Sequence, residues 1–166
     1  SNIIQIRKRY EKEFPTISFH KAVKSFRSCD TPTANTISIL WTEYEQIVEI
    51  NVRAAVLHAS QIAITIIDDL FMKLPIKGSY VDTTLGKLDL IKMSSVGLNE
   101  NIYEHLKLLS TPALDTNMSL LTNDSDRRKL AELSMTAILE WYSKYLLHNK
   151  IIPHDKFEIV WPEDLN

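Results

Sequence analysis

Glycine and cysteine are scarce in this sequence of 166 residues. Its three glycines, Gly78, Gly86 and Gly97, are too few for the tight turns of a β-rich fold or for a glycine-rich phosphate-binding loop. Cys29 is the single cysteine, so an intrachain disulfide is excluded, and the sequence predicts a cytoplasmic protein. The shortage of glycine favours a helical fold.

Long hydrophobic runs and familiar catalytic motifs are also missing. The longest apolar run, IAITII at residues 62–67, is far shorter than the roughly 20 residues that cross a bilayer. The sequence contains no GxSxG, GxxxxGK or GxGxxG motif, and its five histidines have no zinc-ligand spacing. These absences remove the usual support for hydrolase, P-loop and Rossmann interpretations, and we expect no cofactor.

The stretch that dominates the sequence is residues 36–74, which contains neither glycine nor proline. Apolar side chains recur there at intervals of three and four, and after residue 52 they surround most of the helix, which predicts a core helix packed on more than one side. One straight helix of this length would run about 57 Å at 1.5 Å per residue. We therefore expect a kink or break near residues 49–52.

Shorter helical patterns flank this stretch. The sequence predicts an all-α bundle of about six helices around the long central helix, with one short extended tail. The other helices are expected at residues 3–13, 17–27, 84–93, 100–109 and 125–148. All belong to one domain: a basic helical pair at 1–30, the bundle core at 31–150 and the tail at 151–166.

The amino-terminal segment is basic. Residues 1–27 carry seven basic side chains against two acidic ones, a local net charge of +5, so the rest of the chain carries −7 within a total of −2. One interpretation is a polyanion contact, such as nucleic acid, through Arg7, Lys8, Arg9 and Lys12. The alternative is two solvated helix faces docked on an acidic body.

Two adjacent acids form a candidate metal site. Asp68 and Asp69 lie near the end of the central stretch, and paired carboxylates on a helix can bind Mg²⁺. A diphosphate site would require a third acid one turn later, where the chain has Met72 and Lys73. The alternative is one exposed aspartate and one paired with a nearby lysine.

A family resemblance rests on residues 50–148. The long apolar helix ending IIDDLF, then LGKLDLIKMSSVGLNENIYEHLKLL, a polar patch and the helix LAELSMTAILEWYSKYLL resemble HEPN-type helical domains and the mannitol-operon-repressor family. Ribonuclease members carry an Arg-x4-6-His motif, so the resemblance implies Arg53 and His58 as the catalytic pair. Residues five apart on one helix differ by about 140° in direction, so we expect this pair to converge only across a break or a dimer interface.

The function that the sequence favours is a non-catalytic interaction or regulatory module, with a protein partner or self-association as a dimer. The resemblance implies part of a larger bacterial regulator or defence protein. Two alternatives stay open: a HEPN-like ribonuclease or nucleotide-binding domain, and a small-molecule sensor. The sensor would have an interhelical pocket lined by Trp41, Tyr44 and Trp141.

Overall fold

The structure is a computed structural model that describes residues 31–74, 81–94, 98–110 and 123–148. These ranges are helical, without a strand among them. Five helices follow one another: α1 (Pro32–Val48), α2 (Val52–Met72), α3 (Thr84–Lys92), α4 (Glu100–Ser110) and α5 (Asp124–His148). The all-α prediction is confirmed for the described residues.

The predicted long central helix is wrong as a single element, because α1 and α2 are separate helices. α1 begins earlier than expected, at Pro32, where the Thr31 side chain accepts a hydrogen bond from the Ala34 amide at 3.1 Å. A short turn ends it, and Asn51 then caps α2 by accepting from the Ala54 amide at 3.1 Å. The break falls inside the interval in which the length of the stretch predicted one.

α1 and α2 form an antiparallel hairpin. Thr33 near the start of α1 contacts Asp69 near the end of α2, and Glu43 further along α1 contacts His58 earlier in α2. Their facing sides are apolar, and small side chains on α2, Ala55, Ala59 and Ala63, are fully buried. Burial of apolar surface is the main favourable term holding such helices together.

α2 is the element that touches every other described helix, α1, α3, α4 and α5. Eight of its residues are buried. By length and composition alone it is also long and apolar enough to cross a membrane, and it is the one described helix of which this is true. Its contacts with four helices are those of a core helix, as predicted for its part of the sequence.

α5 is buried around its whole circumference in its middle part. Every residue from Ser134 to Ser143 is buried, and ten successive residues cover all directions around a helix. α2 and α4 pack against it, and α3 packs against α2 and α4. α3 begins after its Thr83 cap, and α3, α4 and α5 match the three helices predicted in this part of the chain to within two residues at each end.

Several predictions concern residues outside the described ranges. These are the helices at 3–13 and 17–27, the extended tail, and the basic side chains Arg7, Lys8, Arg9 and Lys12. The predicted count of six helices included the first two, so that number stays a prediction.

Candidate functional site

Asp69 is the centre of a polar cluster that joins three of the described helices. Its Oδ1 accepts a hydrogen bond from Thr33 Oγ1 at 3.2 Å, and its Oδ2 accepts from Lys73 Nζ at 2.8 Å. The Tyr142 hydroxyl donates to the same Oδ2 in a short hydrogen bond. Side chains from α1, α2 and α5 therefore meet on one carboxylate, which we call the Asp69 cluster.

The helical spacing of the sequence explains part of the cluster. Lys73 follows Asp69 by four residues, so the two side chains lie on the same face of the end of α2. Tyr142 and Tyr145 are three residues apart on α5, and Lys73 Nζ lies 5.5 Å from the centre of the Tyr145 ring. Thr33 reaches Asp69 because the hairpin brings the start of α1 beside the end of α2.

The electrostatics of the cluster favour proton retention by its tyrosines. Burial, together with the hydrogen bond to Asp69, raises the pKa of Tyr142 far above its ordinary value. Burial and the nearby Asp69 charge also raise the pKa of Tyr145. A tyrosine in this state donates hydrogen bonds and is a poor base or nucleophile, so the cluster is chemically suited to joining helices.

Asp68 and Asp69 contact different helices. Asp68 Oδ1 pairs with Lys87 Nζ of α3 at 3.0 Å, whereas Asp69 faces α1 and α5. Each carboxylate thus pairs with its own lysine. The alternative to a metal site predicted one exposed aspartate and one aspartate paired with a lysine. No group of three or more His, Cys, Asp or Glu side chains able to hold a metal occurs among the described residues.

Arg53 and His58 lie on α2 without a break between them. His58 faces α1, where its Nε2 lies 3.4 Å from Glu43 Oε2, and its Nδ1 lies 3.4 Å from the Ala54 carbonyl oxygen. Arg53 is exposed. A continuous helix directs residues five apart about 140° from each other, so the two side chains do not converge on one phosphate within this chain.

The three aromatic residues of the predicted pocket belong to the core. Trp41 and Tyr44 stack with ring centres 5.0 Å apart, and Trp141 stacks on Tyr145 at 5.6 Å. Trp41, Tyr44 and Trp141 are all buried. The Tyr44 hydroxyl donates to Glu132 Oε2 at 2.7 Å. The two stacks lie within α1 and within α5, and the Tyr44 hydrogen bond joins these two helices. The sensor hypothesis required the same side chains to line a cavity.

A second polar cluster joins the end of α1 to the start of α5. Arg128 donates through Nε to Glu132 at 2.7 Å and through Nη1 to Glu49 at 2.8 Å. These two hydrogen bonds raise the pKa of Arg128 above its already high value. Burial, followed by the hydrogen bond to Glu132, raises the pKa of Tyr44. The cluster fixes the hairpin turn against α5.

Polar residues that the sequence did not single out lie inside α4 and α5. His105 is buried, and its Nδ1 lies 2.9 Å from Ser134 Oγ. Glu140 is also buried, in the middle of α5. One signal was available for Glu140: it is the only charged residue between Leu133 and Lys144, in a run of mainly apolar residues. A charge in such a run predicts either a polar face or a buried ionisable group.

Comparisons with known proteins give no relative for this chain: no protein-family model, curated protein or solved structure matches it.

Proposed function

We propose that the chain is a non-catalytic interaction module that binds a second copy of itself through the tip of the α1–α2 hairpin. The HEPN-like resemblance adds the expectation of a regulatory or defence-associated protein. The polar side chains that could have carried chemistry, Asp68, Asp69, Tyr142 and His58, are engaged in contacts between or within helices. This use of polar groups supports a structural role for the bundle.

The observation that carries the proposal is the exposed surface of the hairpin tip, which comprises the apolar side chains of Ile50 and Leu57 and the charged side chains of Glu49 and Arg53. Ile50 is 86% exposed and Leu57 is 61% exposed. Arg53 and Leu57 are four residues apart and therefore share a face of α2. Exposed apolar side chains close together on a surface are typical of protein contact sites.

The charges of the tip favour a second copy as the partner. The tip holds one exposed acid, Glu49, and one exposed base, Arg53. Glu49 uses Oε1 for Arg128 of its own chain. A two-fold contact places the same patch against itself, so each Arg53 can face the Glu49 of the other copy. The patch is therefore self-complementary in both charge and apolar character.

Light scattering after size-exclusion chromatography, over a range of concentrations, tests this proposal. The natural chain should be dimeric and the double variant Ile50→Glu, Leu57→Glu monomeric. Burying these two side chains contributes about 1.5–3 kcal/mol each, so the dissociation constant should rise on the order of a hundredfold or more.

The matched control is Met72→Glu at the other end of α2. Met72 is 82% exposed, and 15 residues of helix separate it from Leu57, about 22 Å. This variant should dimerise as the natural chain does. A natural chain that stays monomeric at all concentrations, or a control that dissociates as readily as the tip variant, would contradict the proposal.

A further inference from the structure

Glu140 is a buried acid without a hydrogen-bonding partner among the described residues. The residue is 0% exposed, and no described group donates a hydrogen bond to Oε1 or Oε2. Ser143, three residues later and therefore on a neighbouring part of the same face, has a buried Oγ that also lacks one. Buried polar atoms are hydrogen-bonded in the great majority of cases, so three orphaned oxygens together on α5 require an explanation.

The described cations do not neutralise Glu140. Lys144 is the nearest on α5, one turn later, and no ion pair joins the two among the described residues. Ser134, which contacts His105 of α4, points about 120° away from Glu140 around the axis of α5. Tyr142, which contacts Asp69 of α2, points about 160° away from Glu140. Arg128 and Glu132, which bind Glu49 and Tyr44 of α1, lie two or more turns earlier. Charged and titratable groups on the helices packed against α5 thus face other positions: Tyr44, Glu49, Asp69, Lys73 and His105.

An ionised carboxylate in this position would be isolated from water and from every positive charge in the described part of the chain. The cost of burying a lone charge is large, and such a group takes up a proton in preference to staying charged. Burial alone raises the pKa of Glu140 to about 8. The buried position of Glu140 on α5 and its raised pKa both indicate that its carboxyl group is protonated in the folded bundle.

We propose that Glu140 is a buried proton-binding site, neutral in the folded bundle, and that the bundle loses stability as the pH rises from mildly acidic to about neutral, because unfolding then releases the Glu140 proton. The folded-state pKa is higher than the ordinary value of 4.5. The stabilisation is therefore fully present below about pH 4.5 and is lost as the pH rises to about 8. The bundle therefore loses stability between mildly acidic and about neutral solution, and this loss is complete above about pH 8.

Urea unfolding of the natural chain and of Glu140→Gln, measured from pH 5 to pH 9, tests the proposal. Glutamine has the same shape and no charge to gain. The unfolding equilibrium constant of the natural chain divided by that of the variant should rise about tenfold per pH unit midway between the ordinary and the raised pKa of Glu140. The ratio should level off above about pH 8. Taking the ratio cancels the titration of the histidines. The control Glu104→Gln, on α4, should follow the natural chain.

A carbon-13 NMR titration of the Glu140 carboxyl carbon supplies an independent measurement on the natural chain, so the test survives a variant that does not fold. A midpoint well above that of the other glutamates supports the proposal. A midpoint at or below about 4.5, or unfolding constants whose ratio is independent of pH, overturns it by showing that Glu140 is ionised in the fold.

Discussion

Asp69 accepts hydrogen bonds from Thr33, Lys73 and Tyr142, and the Tyr142 bond is the one that joins α2 to α5. Tyr142→Phe removes this donor and leaves the ring in place. Hydrogen bonds to charged groups contribute about 1.5–3 kcal/mol, so the free energy of unfolding should fall by roughly that amount. Urea denaturation at neutral pH measures the change.

A double-mutant cycle with Asp69→Asn assigns the loss to this pair. Residues in one hydrogen-bonded network couple by about 0.5–3 kcal/mol, so the two substitutions together should cost less than the sum of their separate effects. Strict additivity would mean that Tyr142 and Asp69 do not interact in solution, and the Asp69 cluster would then lose its central contact.

The sequence predicted the partners of these residues only where they are close along the chain. Lys73 lies one helical turn from Asp69, so its ion pair follows from local spacing. Thr33 and Tyr142 are 36 and 73 positions away, and nothing in the spacing of either residue indicates its partner. Glu140 was missed for a related reason, because the burial of one residue depends on how neighbouring helices are placed.

At the scale of the helix, Gly86 gives a case in which helix propensity and packing disagree. Alanine is favoured over glycine in a helix by about 0.8–1 kcal/mol, so Gly86→Ala would stabilise an isolated α3. In the fold, a Cβ at this position would lie 2.7 Å from Thr83 Oγ1 and 2.7 Å from Val81 Cγ1. Thr83 Oγ1 is also the cap that accepts from the Gly86 amide.

We expect the clash to outweigh the propensity, since overpacking typically costs about 1–3 kcal/mol and here it also disturbs the cap. Gly86→Ala should lower the thermal midpoint. Adding Val81→Ala removes one of the two close atoms and should recover part of the loss. A single variant that melts higher than the natural chain would show that α3 shifts to accommodate the methyl group.

The helix boundaries show what local signals can determine. Thr83, Asn51 and Thr31 all cap helices. Asn51 was overlooked because Ile47, Val48 and Val52 continue the apolar pattern across the turn without a glycine or proline. The length of the stretch predicted a break, since a helix of about 57 Å is too long for a domain of this size.

At the scale of the whole molecule, the core is shared between two helices. The sequence assigned the central role to residues 36–74. In the structure α2 contacts all four other described helices, while α5 is buried on all sides in its middle part. The burial of α5 on all sides does not follow from periodicity, because a buried polar residue interrupts the apolar pattern that indicates a core face. α5 has four such residues: Ser134, Thr136, Glu140 and Ser143.

If α2 and α5 form one core, removing a large side chain from either should destabilise the bundle to a similar extent. Ile66 on α2 and Ile138 on α5 are both fully buried. Each isoleucine-to-alanine variant should lose about 2–5 kcal/mol of unfolding free energy in urea, because the vacated volume is only partly refilled.

Ile39→Ala is the matched control, since Ile39 is 62% exposed on α1 and should change stability by no more than about 0.5 kcal/mol. A small loss of stability for the Ile138 variant beside a large loss for the Ile66 variant would show that α5 is peripheral to the cooperative core. Glu140 would then be exposed to water by an easy local opening of α5.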